Sequence, residues 1–257
     1  MKIYIPTYGR PHSQETWAGL PDTIKSITTL VVQAREEGKY TLHHRGHLTV
    51  LPPEIESIAP TRQWILDNAE DDKILMIDDD FRFSCRSPGM GTKLFPCLDI
   101  DIEDMIEILD TMLSEYSHVA VSARQGNNHV KESAKVVGRG TGFTGCRVSA
   151  VRDIARYDRM VVQEDLDFTL QLLRAGHPNL VLYSYAYNQS GSNTKGGCSS
   201  FRTMAVQKAA AERLAELHPG FVKVVQKKTK GSWGGQERTD VTVYWKKAFA
   251  SSQELNK

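Results

Sequence analysis

A short apolar run, Ile74-Leu-Met-Ile77, ends in three consecutive carboxylates, Asp78-Asp79-Asp80. An unbroken bulky run of this length fits a strand buried on both faces, at the middle of a sheet covered by helices. Three like charges at the end of such a strand are costly unless positive charge meets them. A hard divalent cation held through oxygen, Mg²⁺ or Mn²⁺, is the usual answer, and such an ion also grips substrate phosphates. Side chains alternate along an extended segment, so Asp78 and Asp80 are expected to point one way and Asp79 another. A solvated acidic turn or a helix cap is the plainer alternative.

The surrounding pattern supplies the rest of an α/β fold. Lys2–Pro6 reads as a first strand, stopped by the turn-prone Pro6-Thr-Tyr-Gly9-Arg-Pro11; Ile27–Val32 and His47–Leu51 read as the next two. Ser57–Ala69 has helical spacing, with Ile58, Ile65 and Leu66 on one face and Arg62 on another. Ile102, Met105, Ile106, Leu109 and Leu113 recur at helical intervals and mark Ile102–Tyr116 as an amphipathic helix, followed by a strand over His118–Ser122. Strands alternating with helices imply a largely parallel sheet, whose ligands bind beyond the carboxyl ends of the strands. The Thr7–Arg10 turn and Asp78–Asp80 both fall at such ends.

The second half has a different texture. Gly138-Arg-Gly-Thr-Gly142-Phe-Thr-Gly145 is glycine-rich without being a phosphate loop, and reads as strand and turn where backbone approaches a ligand or a neighbouring strand closely. Gln163-Glu164-Asp165 opens a helix that stops near Gly176, and acidic residues in a first turn suit the helix dipole whatever else they do. A polar loop spans residues 190–197, Ala209–Leu217 is helical, and Asp240–Trp245 alternates like a strand.

The 257 residues suit one large domain, with residues 1–125 as a nucleotide-sugar half and 126–257 as an acceptor half with a basic C-terminal extension. Hydrophobic content of 40% and charged content of 25% are those of a soluble globular protein, and a net charge of +1 announces no polyanion partner by itself. No stretch approaches a membrane span or a secretory signal, so a cytoplasmic protein is expected, in the host cytoplasm if phage-encoded. Cys85, Cys97, Cys146 and Cys198 are scattered and expected to be reduced; His43, His44 and His47 are expected on an exposed polar segment rather than on a metal.

Together these pieces resemble glycosyltransferases of the GT-A fold. The resemblance rests on Ile5-Pro6-Thr7-Tyr8-Gly9-Arg10, on Arg62, on Asp78-Asp79-Asp80 and on Glu164-Asp165. It implies that Pro6, Thr7 and Arg10 meet the nucleotide. It also implies that Asp78, Asp79 and Asp80 hold the ribose and the metal–diphosphate, with Asp78 and Asp80 as metal ligands. Asp165, beside Glu164, would then take the proton from the acceptor hydroxyl. Chemistry agrees, because a nucleoside diphosphate leaving group needs charge neutralisation and the acceptor needs a base. Arg62 and Arg202 are candidates for phosphate oxygens, with a surface charge or a structural ion pair as the alternative for each. Many GT-A enzymes add a metal-binding His after the Glu-Asp helix, but here the corresponding place reads Tyr187-Asn188-Gln189, leaving Asn188, Gln189 or water as the third ligand.

A narrower similarity runs through Gln14 and Thr16, Ile58-Ala-Pro-Thr-Arg62-Gln63, Gly196-Gly197-Cys-Ser199 with Arg202, and Trp245-Lys-Lys-Ala248. These segments look like the TET-associated glycosyltransferases of bacteriophage DNA hypermodification, a group similar to the glucosyltransferase of base J synthesis. The similarity implies sugar transfer from a nucleoside-diphosphate sugar, a UDP-sugar first, to a hydroxymethylated pyrimidine such as 5-hydroxymethylcytosine in DNA. It places Gly196 and Gly197 among the substrate contacts, and likeness to Glu-Asp-type enzymes favours inversion. Lys223, Lys227, Lys228, Lys230, Arg238, Lys246 and Lys247, with Trp233, form a basic tail that either meets DNA phosphates or is an ordinary solvated face. Competing readings are a saccharide or other acceptor, a nucleotidyltransferase, and a non-catalytic nucleotide- or DNA-binding module. A phosphatase of the Asp-x-Asp-x-Thr/Val type is disfavoured by Arg82.

Overall fold

The computed structural model describes residues 1–44, 46–189, 202–228, 235 and 237–255. The chain begins β1 (Lys2–Thr7), the helical turns α1 (Glu15–Ala18) and α2 (Asp22–Lys25), β2 (Thr28–Val32), α3 (Glu37–His44) and β3 (Leu48–Val50). It continues α4 (Ile58–Asn68), β4 (Lys73–Ile77), β5 (Phe81–Arg86), β6 (Leu94–Pro96), α5 (Asp99–Glu115), β7 (His118–Ala123) and the turn α6 (Arg124–Asn127). Then come β8 (Ala134–Val136), β9 (Phe143–Arg147), the turn α7 (Val148–Val151), α8 (Glu164–Arg174) and β10 (Asn179–Gln189). The last elements are α9 (Met204–Leu217), β11 (Val222–Lys228), β12 (Glu237–Val243) and α10 (Trp245–Leu255).

The main sheet runs β3-β2-β1-β4-β9-β7-β10-β5-β6, with β8 added against β10. β3, β2, β1 and β4 are mutually parallel, as are β7 and β10, while β9 lies antiparallel between β4 and β7. β4 is the buried strand that its composition demands. Leu75 and Ile77 join one core with α5, and Ile74 and Met76 join the other with Ile65 and Leu66 of α4 and Phe168 and Leu172 of α8. The apolar stripe of α5 (Ile102, Met105, Ile106, Leu109, Leu113) is wholly buried, and each such side chain contributes roughly 1.5–3 kcal/mol. A third core joins the far side of α8 to α9, the β11–β12 hairpin and α10 through Leu170, Leu214, Val222, Val241 and Ala248. The mixed α/β layering, a mostly parallel sheet between helices, agrees with the fold class expected from the sequence.

Close packing explains the glycine-rich segment. A Cβ on Gly145 would collide with Leu75 Cδ2 across the β4–β9 ladder. Gly142, at φ +65°, precedes β9, and a Cβ there would lie 2.6 Å from Phe81 Cζ and 3.1 Å from Asp78 Oδ2.

Several elements differ from the sequence reading. Val241, Val243 and Trp245 alternate as a strand would, yet β12 ends at Val243 and Trp245 opens α10. α9 starts at Met204 rather than Ala209, where Thr203 Oγ1 accepts the Val206 amide at 3.2 Å as an N-cap. His43 and His44 close helix α3; His43 is exposed, whereas His44 is half-buried, and their rings pack near His12 and Trp17. β5, β6 and the eleven-residue β10 have no clean period in sequence. In β10 the pairing with β7 shifts register between Leu182 and Ala186. Buried Asn127 holds that bulge, donating from Nδ2 to the carbonyls of Tyr183 (2.9 Å) and Tyr185 (3.3 Å), and Arg86 in turn donates to Asn127 Oδ1 at 2.7 Å. Among the described residues Cys85, Cys97 and Cys146 are free thiols, and no helix is long and apolar enough to cross a membrane.

Candidate active site

The carboxyl ends of β1, β2, β4, β7 and β10 open onto one cleft of about 1020 Å³. Pro6, Thr7, Arg10, Arg62, Asp78, Asp79, Asp80, Glu164, Asp165 and Arg202 all line it. Gly196 and Gly197 lie outside the described residues. So do Cys198, Lys230 and Trp233.

The turn after β4 is held from below. Thr16 Oγ1 donates to the Asp78 carbonyl at 2.5 Å and accepts the Phe81 amide at 2.9 Å, so one hydroxyl closes the Asp78–Asp80 turn. Contrary to simple alternation, Asp79 shares a partner with Asp80 rather than standing apart from it: Thr7 Oγ1 donates to Asp79 Oδ2 at 2.6 Å, and Arg10 Nη1 lies 2.5 Å from Asp79 Oδ1, while Asp78 pairs with Arg62. The same Arg10 nitrogen is 3.1 Å from Asp80 Oδ2. Gln14 Nε2 donates to Thr7 Oγ1 at 2.7 Å, with the Tyr40 hydroxyl 3.0 Å away. Thr7 and Arg10 are therefore already engaged by the acidic turn.

Arg62 is the second positive partner. Only 2% exposed, it donates from Nη2 to Asp78 Oδ1 at 2.6 Å and sets Nε 3.5 Å from Glu164 Oε1. Burial works against its charge, but Asp78, Glu164 and Asp165 outweigh burial and raise its pKa. The counter-charge that the sequence assigns to a cation is thus partly arginine. Five carboxylates (Asp78, Asp79, Asp80, Glu164, Asp165) share the cleft with Arg10, Arg62 and Arg202, and Arg35, Arg124, Arg139, Lys227 and Arg238 line it further out. Desolvation first, then the neighbouring acids, push Asp78 up to about 7 against the pull of Arg62. Asp79 is pushed to about 6 by burial against Arg10, and burial with Asp165 nearby raises Glu164. Burial first, and mutual repulsion after it, hold Asp78, Asp79 and Glu164 above the ordinary carboxylate range.

Among the described residues no three His, Cys, Asp or Glu side chains form a ready-made metal cage. Mg²⁺ and Mn²⁺ do not require one, since they commonly use one or two carboxylates together with substrate phosphates and water. Asp78 keeps 31% of its side chain open, and Asp80 lines the same floor, so this oxygen donor set fits such an ion. β10 runs antiparallel to β5 with Gln189 opposite Phe81, and the Gln189 amide approaches both Asp80 oxygens at 3.1 and 3.2 Å. Asp165, in the first turn of α8, is half-buried; its Oδ1 accepts the Leu166 amide at 2.8 Å, and among the described residues it makes no ion pair. Glu164 is committed to Arg62, so Asp165 is the carboxylate of that pair left to face a ligand.

Some cleft residues carry no sequence signal. Gln163, at φ +65°, and Gln33, at the end of β2, are buried with their Oε1 atoms unpartnered, and both line the cleft. The position of Gln33 at the carboxyl end of a parallel strand was the one available hint. Lys227, Arg238 and Asp240 of the hairpin reach the cleft from the third layer. Tyr187 stacks on Phe81 at 4.1 Å between ring centroids and donates to the Thr141 carbonyl at 2.7 Å.

The profile of the family described as TET-Associated Glycosyltransferase matches residues 1–197. The chain belongs to that family. It is a glycosyltransferase. Two curated bacteriophage proteins are similar to it, both called beta-glucosyl-HMC-alpha-glucosyl-transferase. The protein of Enterobacteria phage T2 is 26% identical over 74% of this chain and 72% of its own. The protein of phage T6 is 26% identical over 85% and 81%. Among solved structures, S. aureus TarS residues 1–349 in complex with UDP-GlcNAc superposes with a TM-score of 0.52 at 16% identity, covering 84% of this glycosyltransferase and 67% of that chain. Its complex with UDP gives a TM-score of 0.50 at 16% identity, covering 84% and 66%. At that identity the likeness is one of fold, and the fold of this glycosyltransferase is GT-A.

Proposed function

We propose that this enzyme moves a sugar from a UDP-sugar to a hydroxymethylated pyrimidine in DNA, 5-hydroxymethylcytosine or its glucosylated form, with Mn²⁺ or Mg²⁺ bound at Asp78 and Asp80. The observation that carries the reading is the convergence of Asp78, Asp80 and Asp165 on one cleft at the carboxyl ends of the strands. The phage relatives name an HMC acceptor, and the TarS complexes bind UDP and UDP-GlcNAc in the same fold. The absence of a membrane-crossing helix among the described residues suits a reaction on DNA in the cytoplasm.

In this reading Asp78 and Asp80 hold the cation, with the Gln189 side chain beside Asp80. A bound cation supplies neutralising charge for the departing diphosphate. Arg10 and Arg62 keep the acidic turn in place, and Arg202, which donates from Nε to Gln207 Oε1 at 2.9 Å, brings further positive charge to the phosphate side. Asp165 takes the proton of the acceptor hydroxyl as its oxygen bonds the anomeric carbon and the bond to the diphosphate breaks. Such general-base help contributes about 10²–10⁴-fold. Direct displacement inverts the anomeric centre; transfer of an α-linked donor sugar into an α-linked product, the linkage for which the phage relatives are named, would instead require retention.

The test incubates the purified enzyme with Mn²⁺, UDP-sugars and duplex DNA carrying cytosine, 5-hydroxymethylcytosine or its β-glucoside, followed by mass spectrometry of the nucleosides and NMR of the new linkage. A hexose added only to modified cytosines, lost on chelation and in Asp80→Ala and Asp165→Asn, is expected. Transfer to none of these DNAs, with sugar passed instead to a free saccharide, would overturn the acceptor assignment. Full activity in Asp165→Asn would remove its assigned role.

A further inference from the structure

The β11–β12 hairpin stands outside the main sheet, and its two faces differ. Opposite residues of an antiparallel pair share a face, so the register Val224↔Val241 and Val222↔Val243 sets one side. That side packs into the core of α9 and α10. The pairs Lys223↔Thr242, Val225↔Asp240 and Lys227↔Arg238 define the other. This second face carries three cations, Lys223, Lys227 and Arg238, against the single carboxylate of Asp240. Lys227 Nζ and Arg238 Nη2 lie 3.1 and 2.8 Å from the same Asp240 oxygen, so one acid organises two cations. Lys227, Arg238 and Asp240 line the cleft that holds Asp165. Lys227 remains 50% exposed along its side chain, and Lys223 is exposed.

We propose that this face of the hairpin seats the phosphodiester backbone of the DNA strand whose base enters the cleft, with Lys223 and Lys227 each meeting a phosphate. The inference rests on the reading that the acceptor is DNA. Lysine supplies three donors and keeps spare ones while bonded to Asp240. Four residues of strand separate the two lysines by about 13 Å, so they reach different phosphates. Positive charge elsewhere on the tail is used differently: Lys247 donates to the Gly220 carbonyl at 3.1 Å and stands over Phe221, away from this face.

Fluorescence anisotropy with a labelled hydroxymethylated duplex, titrated at several salt concentrations, tests the assignment alongside transfer kinetics. Lys223→Ala and Lys227→Ala are each expected to flatten the slope of log affinity against log salt by about 0.9, and the double variant by about twice that. Lys227→Arg should keep the slope, Lys247→Ala should leave it unchanged, and the KM for the sugar nucleotide should not move. An unchanged slope in the double variant, an equal change in Lys247→Ala, a raised KM for the donor, or a wild-type enzyme with no affinity for the duplex each overturns the proposal. Binding with the expected slopes but no sugar transfer would overturn the acceptor assignment and leave the hairpin assignment standing.

Discussion

At the scale of single residues, the acidic turn is organised by what opposes it. Asp79 is held by Thr7 and Arg10, Asp80 by the same Arg10 and by Gln189, and Asp78 by Arg62, and all three line the cleft floor. Arg62 is the most exacting position, a buried guanidinium between two carboxylates on different elements. Removing one member of a buried ion pair strands the others and costs about 3–5 kcal/mol. Arg62→Met should therefore lower stability by that order in denaturant titrations and abolish transfer. Gly142 is demanding for another reason. Ala there would sit at positive φ and press on Phe81 and Asp78, whereas Gly89, at φ +76°, has nothing within 4 Å of a Cβ. Gly89→Ala should cost only backbone strain, about 1–2 kcal/mol. Gly142→Ala should cost about 1–3 kcal/mol more and impair transfer, as thermal melts and kinetics would report.

At the scale of elements, legibility followed periodicity. α4 and α5 were readable because each buries one continuous face, and β1, β2, β4 and β7 because they are short, largely buried apolar runs; the acidic turn was readable because it ends the most apolar strand. β10 was not, since its bulge breaks the period and its last residues, Asn188 and Gln189, are exposed toward the cleft. The bulge depends on tertiary bonds from Asn127, which no local pattern announces. Asn127→Ala should leave those carbonyls short of a donor and destabilise the fold by about 1–3 kcal/mol. Hydrogen exchange should then show faster opening at residues 180–187. Of the site, the carboxylates and Arg62 were legible as residue types, but not that Arg10 and Arg62 would take up part of the charge assigned to a metal. Gln33, Gln163 and the hairpin cations reach the cleft only through long-range folding.

At the scale of the whole molecule, a net charge of +1 conceals a division between an acidic cleft floor and a basic hairpin. One buried group also makes the entire fold sensitive to acid. His118, in the middle strands of the sheet, is 1% exposed, and neither ring nitrogen has a hydrogen-bond partner. Burial pushes its imidazole down to about 4 from 6.5. The unfolded chain gains that proton as pH falls past 6.5 while the native state refuses it until about 4. Its contribution is therefore complete above pH 6.5 and is lost on acidification, by up to about 3 kcal/mol. His118→Leu should flatten the stability profile across that window in denaturant titrations at stepped pH; an unchanged profile would show that other groups dominate.

The guanidinium bolt through Arg62 also bears on turnover. Because it ties the end of β4 to the start of α8, the base of the cleft cannot swing apart without breaking a buried ion pair. Any breathing of the cleft belongs to its walls, so in the proposed reaction the pace of product escape should be tuned from the periphery while the acidic turn stays still.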